Sequence, residues 1–460
     1  MSSSLITGGR LIDPSCGRDE ITDVLILDGK VAVIGPAVAD SVPEGVERID
    51  ASGLVVCPGL IDIHVHFREP GQTENETIKT GAAAAMRGGF TTVVCMPNTS
   101  PVIDTPGTVV LIQEKAAKEA KIDVLLTGAI TKGIEGKELA PIGSLKQAGV
   151  VAITDDGRCV QDNEIMRRAL EYAGMFDLPI MDHCQDYSAV TDGVIHEGYW
   201  SSVLGLDGWP AVGEELIVSR NILLAELTGT PIHCQHISAA GSVRLIREAK
   251  TRGIPISGEA CPHHFTLTDA AIAGSEAFWK EDGGSLFKKA GIDCPQLPEW
   301  PAFHTHFKMN PPLRSLSDRQ TVLEGVLDGT LEILSSDHAP HCGYQKDVEF
   351  SVAPFGITGL ETELALSLMQ LHHSHGMELI ELIRRFTITP AKLLHLEGKG
   401  SLQVGMKGDV TLFDPDEQWV YTVDQSDSMS TNSPFLGWPL KGRNRRTIHS
   451  GRTVWSHNSD

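Results

Sequence analysis

The chain has 460 residues, and 38 Lys and Arg against 60 Asp and Glu give it a formal net charge of −22 at pH 7. A chain of this length is expected to form about three domains, or one large α/β barrel with an appended unit. The negative charge argues against binding an extended phosphate backbone, which needs clustered Lys and Arg. An anionic substrate would therefore have to be bound by local positive groups.

The cysteines and the N-terminus indicate the compartment. The nine cysteines include no Cys-x-x-Cys pair, which is typical of reduced thiols rather than of a disulfide framework or a zinc knuckle. The first residues lack the basic and apolar regions of a signal peptide, and no apolar run approaches the ~18 residues of a membrane span. These features predict a soluble, cytoplasmic protein.

Two β-rich ends flank a middle part of a different character. Short predicted strands with turn signals occupy residues 1–57 and return from about residue 400. Between them, apolar strand-like runs alternate with helical patterns about eight times. The predicted strands are Leu60–His64, Thr91–Met96, Ile122–Ala129, Val150–Thr154, Pro179–His183, Pro231–His236, Ile256–Cys261 and Leu331–Ser335. This alternation predicts βαβ units, and eight units predict a closed (β/α)₈ barrel.

An open doubly wound sheet is the alternative to the barrel. It is disfavoured because no glycine-rich dinucleotide fingerprint follows the first predicted strand. Residues 274–305 interrupt the alternation with a segment rich in Gly, Pro, Trp and charge. This segment is predicted to be an irregular insertion, either functional or a mere exposed decoration.

Seven of the eight predicted strands end in side chains that can bind a metal or form hydrogen bonds. They are His64 and His66, Asn98, Asp155 and Asp156, His183, His236, His263 and His264, and Asp337. In a (β/α)₈ barrel the active site lies at these carboxyl ends of the strands. His64 and His66 are two residues apart and therefore face the same side of an extended strand. The pattern predicts a metal site at the barrel mouth.

The residue types restrict the metal. Imidazoles and carboxylates without a cysteine cluster suit Zn²⁺, and also Mn²⁺, Co²⁺ or Ni²⁺. Four histidines and two aspartates exceed the three protein ligands of a single catalytic zinc and favour two metals with a shared ligand. Asp156 is the predicted bridging ligand, and Asp155 is the alternative.

Eight motifs spread along nearly the whole chain carry a family resemblance. They are Asp62-Ile-His-Val-His-Phe-Arg-Glu-Pro-Gly71, Met96-Pro-Asn-Thr99, Asp155-Asp-Gly157, Cys261-Pro-His-His264, Asn310-Pro-Pro-Leu-Arg314, Ser336-Asp-His-Ala-Pro-His341, Pro354-Phe-Gly356 and Lys407-Gly-Asp-Val-Thr-Leu-Phe-Asp414. Together they resemble the motifs of type I dihydroorotases in the amidohydrolase superfamily.

The resemblance implies a fold and a reaction. The fold is a metal-dependent (β/α)₈ TIM barrel over residues 58–397, with the insertion 274–305, and a small β-sandwich domain built from residues 1–57 and 398–460. The reaction is the reversible hydrolysis and cyclisation between (S)-dihydroorotate and N-carbamoyl-L-aspartate in de novo pyrimidine (UMP) biosynthesis. The implied cofactor is Zn²⁺, two per subunit, with other divalent transition metals as alternatives.

Site roles follow from the resemblance residue by residue. The implied metal ligands are His64, His66, Asp156, His183, His236 and Asp337. The implied substrate contacts are His66, Arg68, Asn98, Asn310, His341, Phe355 and Gly356. Asp337 is expected to be the catalytic residue, taking a proton from the attacking water and giving it to the leaving amide nitrogen.

Two features separate this chain from other cyclic amidases. The predicted fourth strand and the residues after it, 150–156, contain no lysine that could be carboxylated to bridge two metals, unlike the typical dihydropyrimidinase and allantoinase pattern. Arg68 is predicted to lie on the same face as His66 in an extended segment, where a guanidinium suits the carboxylate of dihydroorotate. Arg68 could instead pair with Glu69 or with another acidic residue of the loop. Allantoinase and dihydropyrimidinase or hydantoinase activity remain the alternatives.

Partners are predicted only in outline. A homo-oligomer, a dimer or a tetramer, is expected, as is possible association with aspartate transcarbamoylase. A more remote alternative is an inactive scaffold subunit of aspartate transcarbamoylase. Such subunits lose metal ligands, whereas this chain keeps all of them.

Overall fold

The structure, a computed structural model, describes residues 3–36, 38, 42, 45–282 and 285–457. The strands in chain order are β1 Ser4–Asp13, β2 Arg18–Leu27, β3 Lys30–Gly35, β4 Glu47–Asp50, β5 Val55–Pro58, β6 Leu60–Val65, β7 Phe90–Cys95, β8 Asp123–Gly128, β9 Ala152–Ile153, β10 Ile180–Asp182, β11 Ile195–His196, β12 Gly208–Trp209, β13 Ile232–Cys234, β14 Ile256–Ala260, β15 Ile333–Leu334, β16 Val410–Val420, β17 Pro439–His449 and β18 Arg452–Ser456.

The helices connect and cover these strands. In chain order they are α1 Ile78–Gly88, α2 Pro106–Glu119, α3 Ile142–Ala148, α4 Asn163–Gly174, α5 Tyr187–Val190, α6 Tyr199–Leu204, α7 Val212–Thr228, α8 Ala240–Thr251, α9 Pro262–Thr266, α10 Ser275–Asp282, α11 Ser285–Lys289, α12 Leu316–Leu327, α13 Gly343–Lys346, α14 Glu363–Ser367, α15 Leu379–Phe386 and α16 Ile388–Leu393. Short 3₁₀ turns lie at Lys132–Ile134, Asp269–Ala273, Thr305–Phe307 and Val423–Gln425, and a π-helical turn at Leu368–His373.

The predicted barrel is confirmed. Its parallel sheet has the order β15-β14-β13-β10-β9-β8-β7-β6, and each of its eight strands overlaps one of the predicted strands. The two end strands meet at their carboxyl ends, where Val65 and His338 form a parallel bridge and the backbone N–H of His66 donates to the carbonyl of His338 at 2.8 Å. Closure therefore brings the residues after β6 and β15 next to each other at the barrel mouth.

Burial of hydrophobic side chains and capping residues explain why these segments form strands and helices. β6 and β7 are buried along their whole length because the barrel interior covers one face and the helix layer the other. In the first helix, Thr77 caps the amino end and Gly89 ends it in the left-handed conformation, with φ of 96°. A separate apolar cluster inside the barrel joins strand residues such as Ile63 to Leu394 after α16, and it forms the floor beneath the mouth.

A second sheet unites the two ends of the chain. Its order is β18-β17-β16-β5-β1-β2-β3, with β4 paired to β1, and β5 joins the N-terminal strands to β16. This confirms a β-rich unit built from both termini, while the domain boundaries near residues 57 and 398 stay predictions. Lys399 attaches this unit to the barrel by ion pairs with Asp123 and Asp409, at 2.7 and 2.8 Å.

The segment 274–305 is less irregular than predicted. It contains α10 and α11, whose aromatic side chains pack against Trp438 near the C-terminus, with ring centroids 5.4 Å apart for Trp279. Glycine and proline suggested a loop, but burial of Phe278 and Trp279 stabilises short helices that the local pattern does not reveal. Within the described residues, no helix is both long and apolar enough to cross a membrane.

Candidate metal centre and substrate cavity

The carboxylate of Asp156 lies at the centre of a ring of histidines at the barrel mouth. Its Oδ1 is 3.3 Å from Nε2 of His64, and its Oδ2 is 3.3 Å from Nε2 of His66. Nδ1 of His183 and Nε2 of His236 lie 3.6 and 3.7 Å from Oδ1. Four imidazoles, supplied by three different strands (β6, β10 and β13), thus converge on one carboxylate.

Asp337 completes this ring from the last barrel strand. Its Oδ1 lies 3.1 Å from Nε2 of His66 and 3.5 Å from Nε2 of His64. Asp337 and His236 both have positive φ, 47° and 33°, although neither is glycine. Such backbone conformations cost free energy and are concentrated at functional sites. Here they turn the two side chains into the mouth immediately after their strands.

The two candidate bridging carboxylates point in different directions. Asp155 accepts hydrogen bonds from the backbone N–H groups of Ile130 and Thr131, at 2.8 and 3.0 Å, and burial raises its pKa to about 6. Burial also acts to raise the pKa of Asp156, but His64 and the other histidines hold it well below its usual value. Of the two, Asp156 is therefore the carboxylate that lies among the imidazoles, whereas Asp155 is held by the backbone.

The donor atoms fit a divalent cation. Nε2 of His64 and Oδ1 of Asp156 are buried and have no hydrogen-bond partner in the part of the chain that the structure describes. Nδ1 of His183 and Nε2 of His236 face each other at 2.8 Å. Two sets of three ligand atoms lie within 4.8 Å of one another, namely His64, His66 and Asp337, and His64, Asp156 and His236. Buried polar atoms are normally satisfied, so unpaired ones in this pattern match a metal centre.

Glu259 supports the ring from below, and the sequence analysis missed it. Its Oε1 is 2.6 Å from Nδ1 of His64 and accepts the backbone N–H of His236 at 3.1 Å, while Oε2 is 3.1 Å from Nε2 of His233. Burial acts to raise the pKa of Glu259, but His64 and His233 hold it below its usual range. A glutamate inside the buried strand β14 was the available signal, because buried charges need partners. It orients His64 as outer carboxylates orient metal-binding histidines.

A cavity of about 360 Å³ opens above the ring. Of the predicted metal ligands and substrate contacts, all line it except His64, which is fully buried. The predicted residues in its wall are His66, Arg68, Asn98, Asp156, His183, His236, Asn310, Asp337, His341, Phe355 and Gly356. Gln72, Gly157 and Ala339 also line it and were not predicted. His263 and His264, predicted at the same mouth, form a separate buried group with Cys261 outside this wall.

Arg68 reaches the cavity by a route that differs from the predicted one. The expectation of an extended segment is wrong, because β6 ends at Val65 and Arg68 has a left-handed φ of 56°. The carbonyl of Arg68 accepts the N–H of Gln72 at 2.9 Å, which closes a turn. The alternative pairing with Glu69 is not observed, since Glu69 forms an ion pair with Lys115.

A positive and a neutral side chain share one side of the cavity. Nε of Arg68 donates to the carbonyl of Pro340 at 3.2 Å, and its Nη2 lies 3.4 Å from Nε2 of His341. Nε2 of His341 donates to the carbonyl of Phe355 at 2.8 Å. Burial, together with the charge of Arg68, lowers the pKa of His341 to about 3. At neutral pH this histidine is an uncharged donor, and Arg68 carries the positive charge of this subsite.

Two amide side chains also lie in the wall of the cavity. Oδ1 of Asn98 accepts from Nδ1 of His66 at 2.9 Å, and Nδ2 of Asn310 donates to Oε1 of Gln185 at 3.2 Å. Gly356 has a φ of 127°, and a Cβ there would lie 2.8 Å from the Cβ of Ala339. Glycine therefore lets the backbone of this wall approach the barrel mouth closely.

A parallel barrel with histidines and aspartates at its mouth and a β-rich unit from both termini defines the amidohydrolase class. The fold is similar to that of L-hydantoinase (dihydropyrimidinase) from Arthrobacter aurescens, with a TM-score of 0.84 and 23% identity over 100% of this chain and 97% of that chain. Dihydropyrimidinase from Brevibacillus agri gives a TM-score of 0.80 and 22% identity over 99% and 95% of the two chains. At these identities the similarity shows the fold alone.

Sequence comparison narrows the class to a family. The model of the dihydro-orotase-like family matches residues 53–242. Dihydroorotase from Citrifermentans bemidjiense is 47% identical over 98% of this chain and 99% of its own length. Dihydroorotase from Pelotomaculum thermopropionicum is 45% identical over 98% of both chains. The chain belongs to the dihydroorotase family, as the motifs predicted.

Proposed function

We propose that the chain catalyses the reversible interconversion of (S)-dihydroorotate and N-carbamoyl-L-aspartate, a step of pyrimidine biosynthesis in the cytoplasm. The observation that carries this proposal is the juxtaposition of the Asp156-centred histidine ring with Arg68 across one cavity. The ring suits hydrolysis of an amide, and the guanidinium suits a ring substrate with a free carboxylate. The family to which the chain belongs supports the same assignment.

We further propose that two divalent cations, Zn²⁺ by preference, occupy the ring. The ligands would be His64, His66, Asp156, His183, His236 and Asp337, with Asp156 shared between the ions. Divalent cations in such a site supply Lewis acidity, which polarises a carbonyl and makes water nucleophilic near neutral pH.

Asp337 is the residue proposed to move the proton. Burial acts to raise its pKa, but His64 and His66 hold the pKa below its usual value, so the carboxylate is ionised at neutral pH. It can then accept a proton from the attacking water and return it to the amide nitrogen that leaves the ring. Ring closure uses the same group in the opposite order. Asn98, Arg68 and His341 would hold the substrate carboxylate on the other side of the cavity.

Replacing Arg68 by methionine tests the substrate assignment. The variant is expected to raise the KM for dihydroorotate by about 10- to 100-fold, because a charge-assisted hydrogen bond to the carboxylate is lost. The metal content should stay unchanged, since Arg68 is not a proposed ligand. Steady-state hydrolysis of dihydroorotate and metal analysis of the purified protein measure both effects.

The same assays decide between the alternative substrates. The wild type should hydrolyse dihydroorotate in preference to dihydrouracil, hydantoin and allantoin, which lack the carboxylate. Lys115→Met is the matched control, because Lys115 is a nearby cation that pairs with Glu69 and does not line the cavity. No turnover of dihydroorotate by metal-loaded wild type would refute the proposal and favour another cyclic amidase.

We also propose a homo-oligomer, supported by an apolar face on α7. This face consists of the exposed side chains of Val212, Leu216, Leu223 and Leu227. Exposed apolar patches of this kind are typical of protein interfaces.

Leu223→Glu is expected to reduce the mass of the oligomer measured by sedimentation velocity, whereas Arg244→Glu on α8 should leave that mass unchanged. A monomeric wild type would contradict the proposal. Association with aspartate transcarbamoylase stays a prediction.

A further inference from the structure

Two lysines are buried behind the wall of the cavity without an acidic partner among the residues that the structure describes. Lys308 and Lys346 are each only 2% exposed. Burial lowers the pKa of Lys308 to about 8 and that of Lys346 to about 7, and no Asp or Glu among the described residues offsets this effect. Lysines are rarely buried unless they are paired, because desolvation of an ammonium group is costly.

The hydrogen bonds of both ammonium groups go to backbone carbonyls. Nζ of Lys308 donates to the carbonyls of Phe350 and Ser351, at 2.8 and 2.9 Å. Nζ of Lys346 donates to the carbonyls of Pro354 and of Lys308 itself, at 2.8 and 3.2 Å. Three of these four carbonyls belong to residues 350–354, which lead directly into the cavity wall at Phe355 and Gly356. The lysines therefore anchor this segment from behind.

The pair lies against the proposed carboxylate subsite. Nζ of Lys308 is 4.6 Å from the ring centroid of Phe355, and the carbonyl of Lys308 accepts the N–H of Gly356 at 3.0 Å. The carbonyl of Phe355 in turn accepts from His341. His341 is half-buried, and both Arg68 and Lys346 contribute positive charge to its surroundings. A carboxylate bound beside Arg68 and His341 would thus lie in front of two further amines and would favour their protonated, positively charged form.

Lys399 shows how a buried lysine is ordinarily stabilised, namely by acidic partners. Lys399 is also buried, but it forms ion pairs with both Asp123 and Asp409. Lys308 and Lys346 have no such partner among the described residues, so their charge is left to attract an anion in the cavity. The net charge of −22 makes such local positive potential necessary for an anionic substrate.

We propose that Lys308 and Lys346 are positioning residues for the substrate carboxylate, which hold the segment 350–356 in place and supply buried positive charge that the bound carboxylate neutralises. This inference rests on the proposed function. It adds a determinant of affinity for the anionic ring that lies behind the residues in direct contact with the cavity.

Lys346→Met and Lys346→Gln test the proposal in the metal-loaded, full-length protein. Both variants remove the positive charge, but glutamine keeps a hydrogen-bond donor that can reach a carbonyl. Comparing the two variants therefore separates the loss of the charge from the loss of the hydrogen bonds to the segment 350–354. Both variants are expected to raise the KM for dihydroorotate about tenfold, the effect of one lost charge interaction. The inhibition constant for orotate, which carries the same carboxylate, should rise by the same factor. The kcat and the metal content should stay close to those of the wild type.

Lys308→Met provides an independent variant with the same expected shift in KM. Lys399→Met is the matched control, because it removes a buried but paired lysine: it should lower Tm while leaving KM and the orotate inhibition constant unchanged. A wild-type KM in the Lys346 variants, or a fall in kcat and Tm without a change in KM, would overturn the inference. A wild type that does not turn over dihydroorotate would instead overturn the proposed function.

Discussion

Replacing Asp337 by asparagine is expected to leave a folded, metal-loaded protein whose kcat for dihydroorotate hydrolysis falls by about 10²- to 10⁴-fold, the usual contribution of a general acid–base group. Asparagine keeps an oxygen at the position that lies 3.1 Å from Nε2 of His66. It cannot accept and return a proton, so the step that carries the proton to the amide nitrogen is lost. Assays of hydrolysis and cyclisation, together with metal analysis, measure the outcome.

The two directions of the reaction provide an internal check on this prediction. The equilibrium between the ring and the open chain does not depend on the enzyme, so kcat/KM must fall by the same factor in both directions. Asp328→Asn serves as the control. Asp328 lies on the loop between α12 and β15, where it forms an ion pair with Arg247, and it does not line the cavity. Near-normal turnover in a fully metallated Asp337→Asn protein would remove Asp337 from the proton transfer.

The barrel and most of its mouth could be predicted because they depend on short-range regularities. Buried parallel strands are continuous apolar runs, and their carboxyl ends meet at one edge of the barrel. A residue such as His183 or His236 could therefore be placed by its position after a strand alone. The common edge then brings such residues together without any knowledge of the intervening helices, as the ring around Asp156 shows.

The parts that escaped prediction depend on long-range packing and local turns. The sequence predicts an extended segment at Arg68, because the nearest turn signal, Pro70-Gly71, lies two residues further on and does not indicate the left-handed conformation of Arg68 itself. The helices α10 and α11 form where their aromatic side chains pack against Trp438, which lies more than 150 residues further along the chain. The surroundings of Lys346 also depend on a contact between distant parts of the chain, since Thr305, the last residue of the segment 274–305, donates to the carbonyl of Lys346.

The second large effect concerns the two adjacent aspartates after β9. Asp156→Asn is expected to lower the affinity for metal by more than about 100-fold. This loss is larger than the loss that follows from removing a residue that only hydrogen-bonds to a metal ligand. Activity should fall with the metal content. The reason is geometric: both oxygens of Asp156 lie 3.3 Å from imidazole nitrogens, so the carboxylate is the negative centre of the ring. Metal titration and the dihydroorotate assay on the apoprotein measure both effects.

Asp155→Asn is the matched variant, since it makes the same chemical change one residue away. Its carboxylate accepts hydrogen bonds from Ile130 and Thr131, away from the histidines. The amide oxygen of asparagine can still accept the backbone N–H groups, so we expect a lower Tm but normal metal binding and a kcat within about threefold of the wild type. The reverse result, with metal lost from the Asp155 variant and kept by the Asp156 variant, would make Asp155 the shared ligand. That outcome would require the segment after β9 to shift by one residue when metal binds, so that Asp155 takes the place of Asp156, because successive side chains face opposite sides of an extended strand.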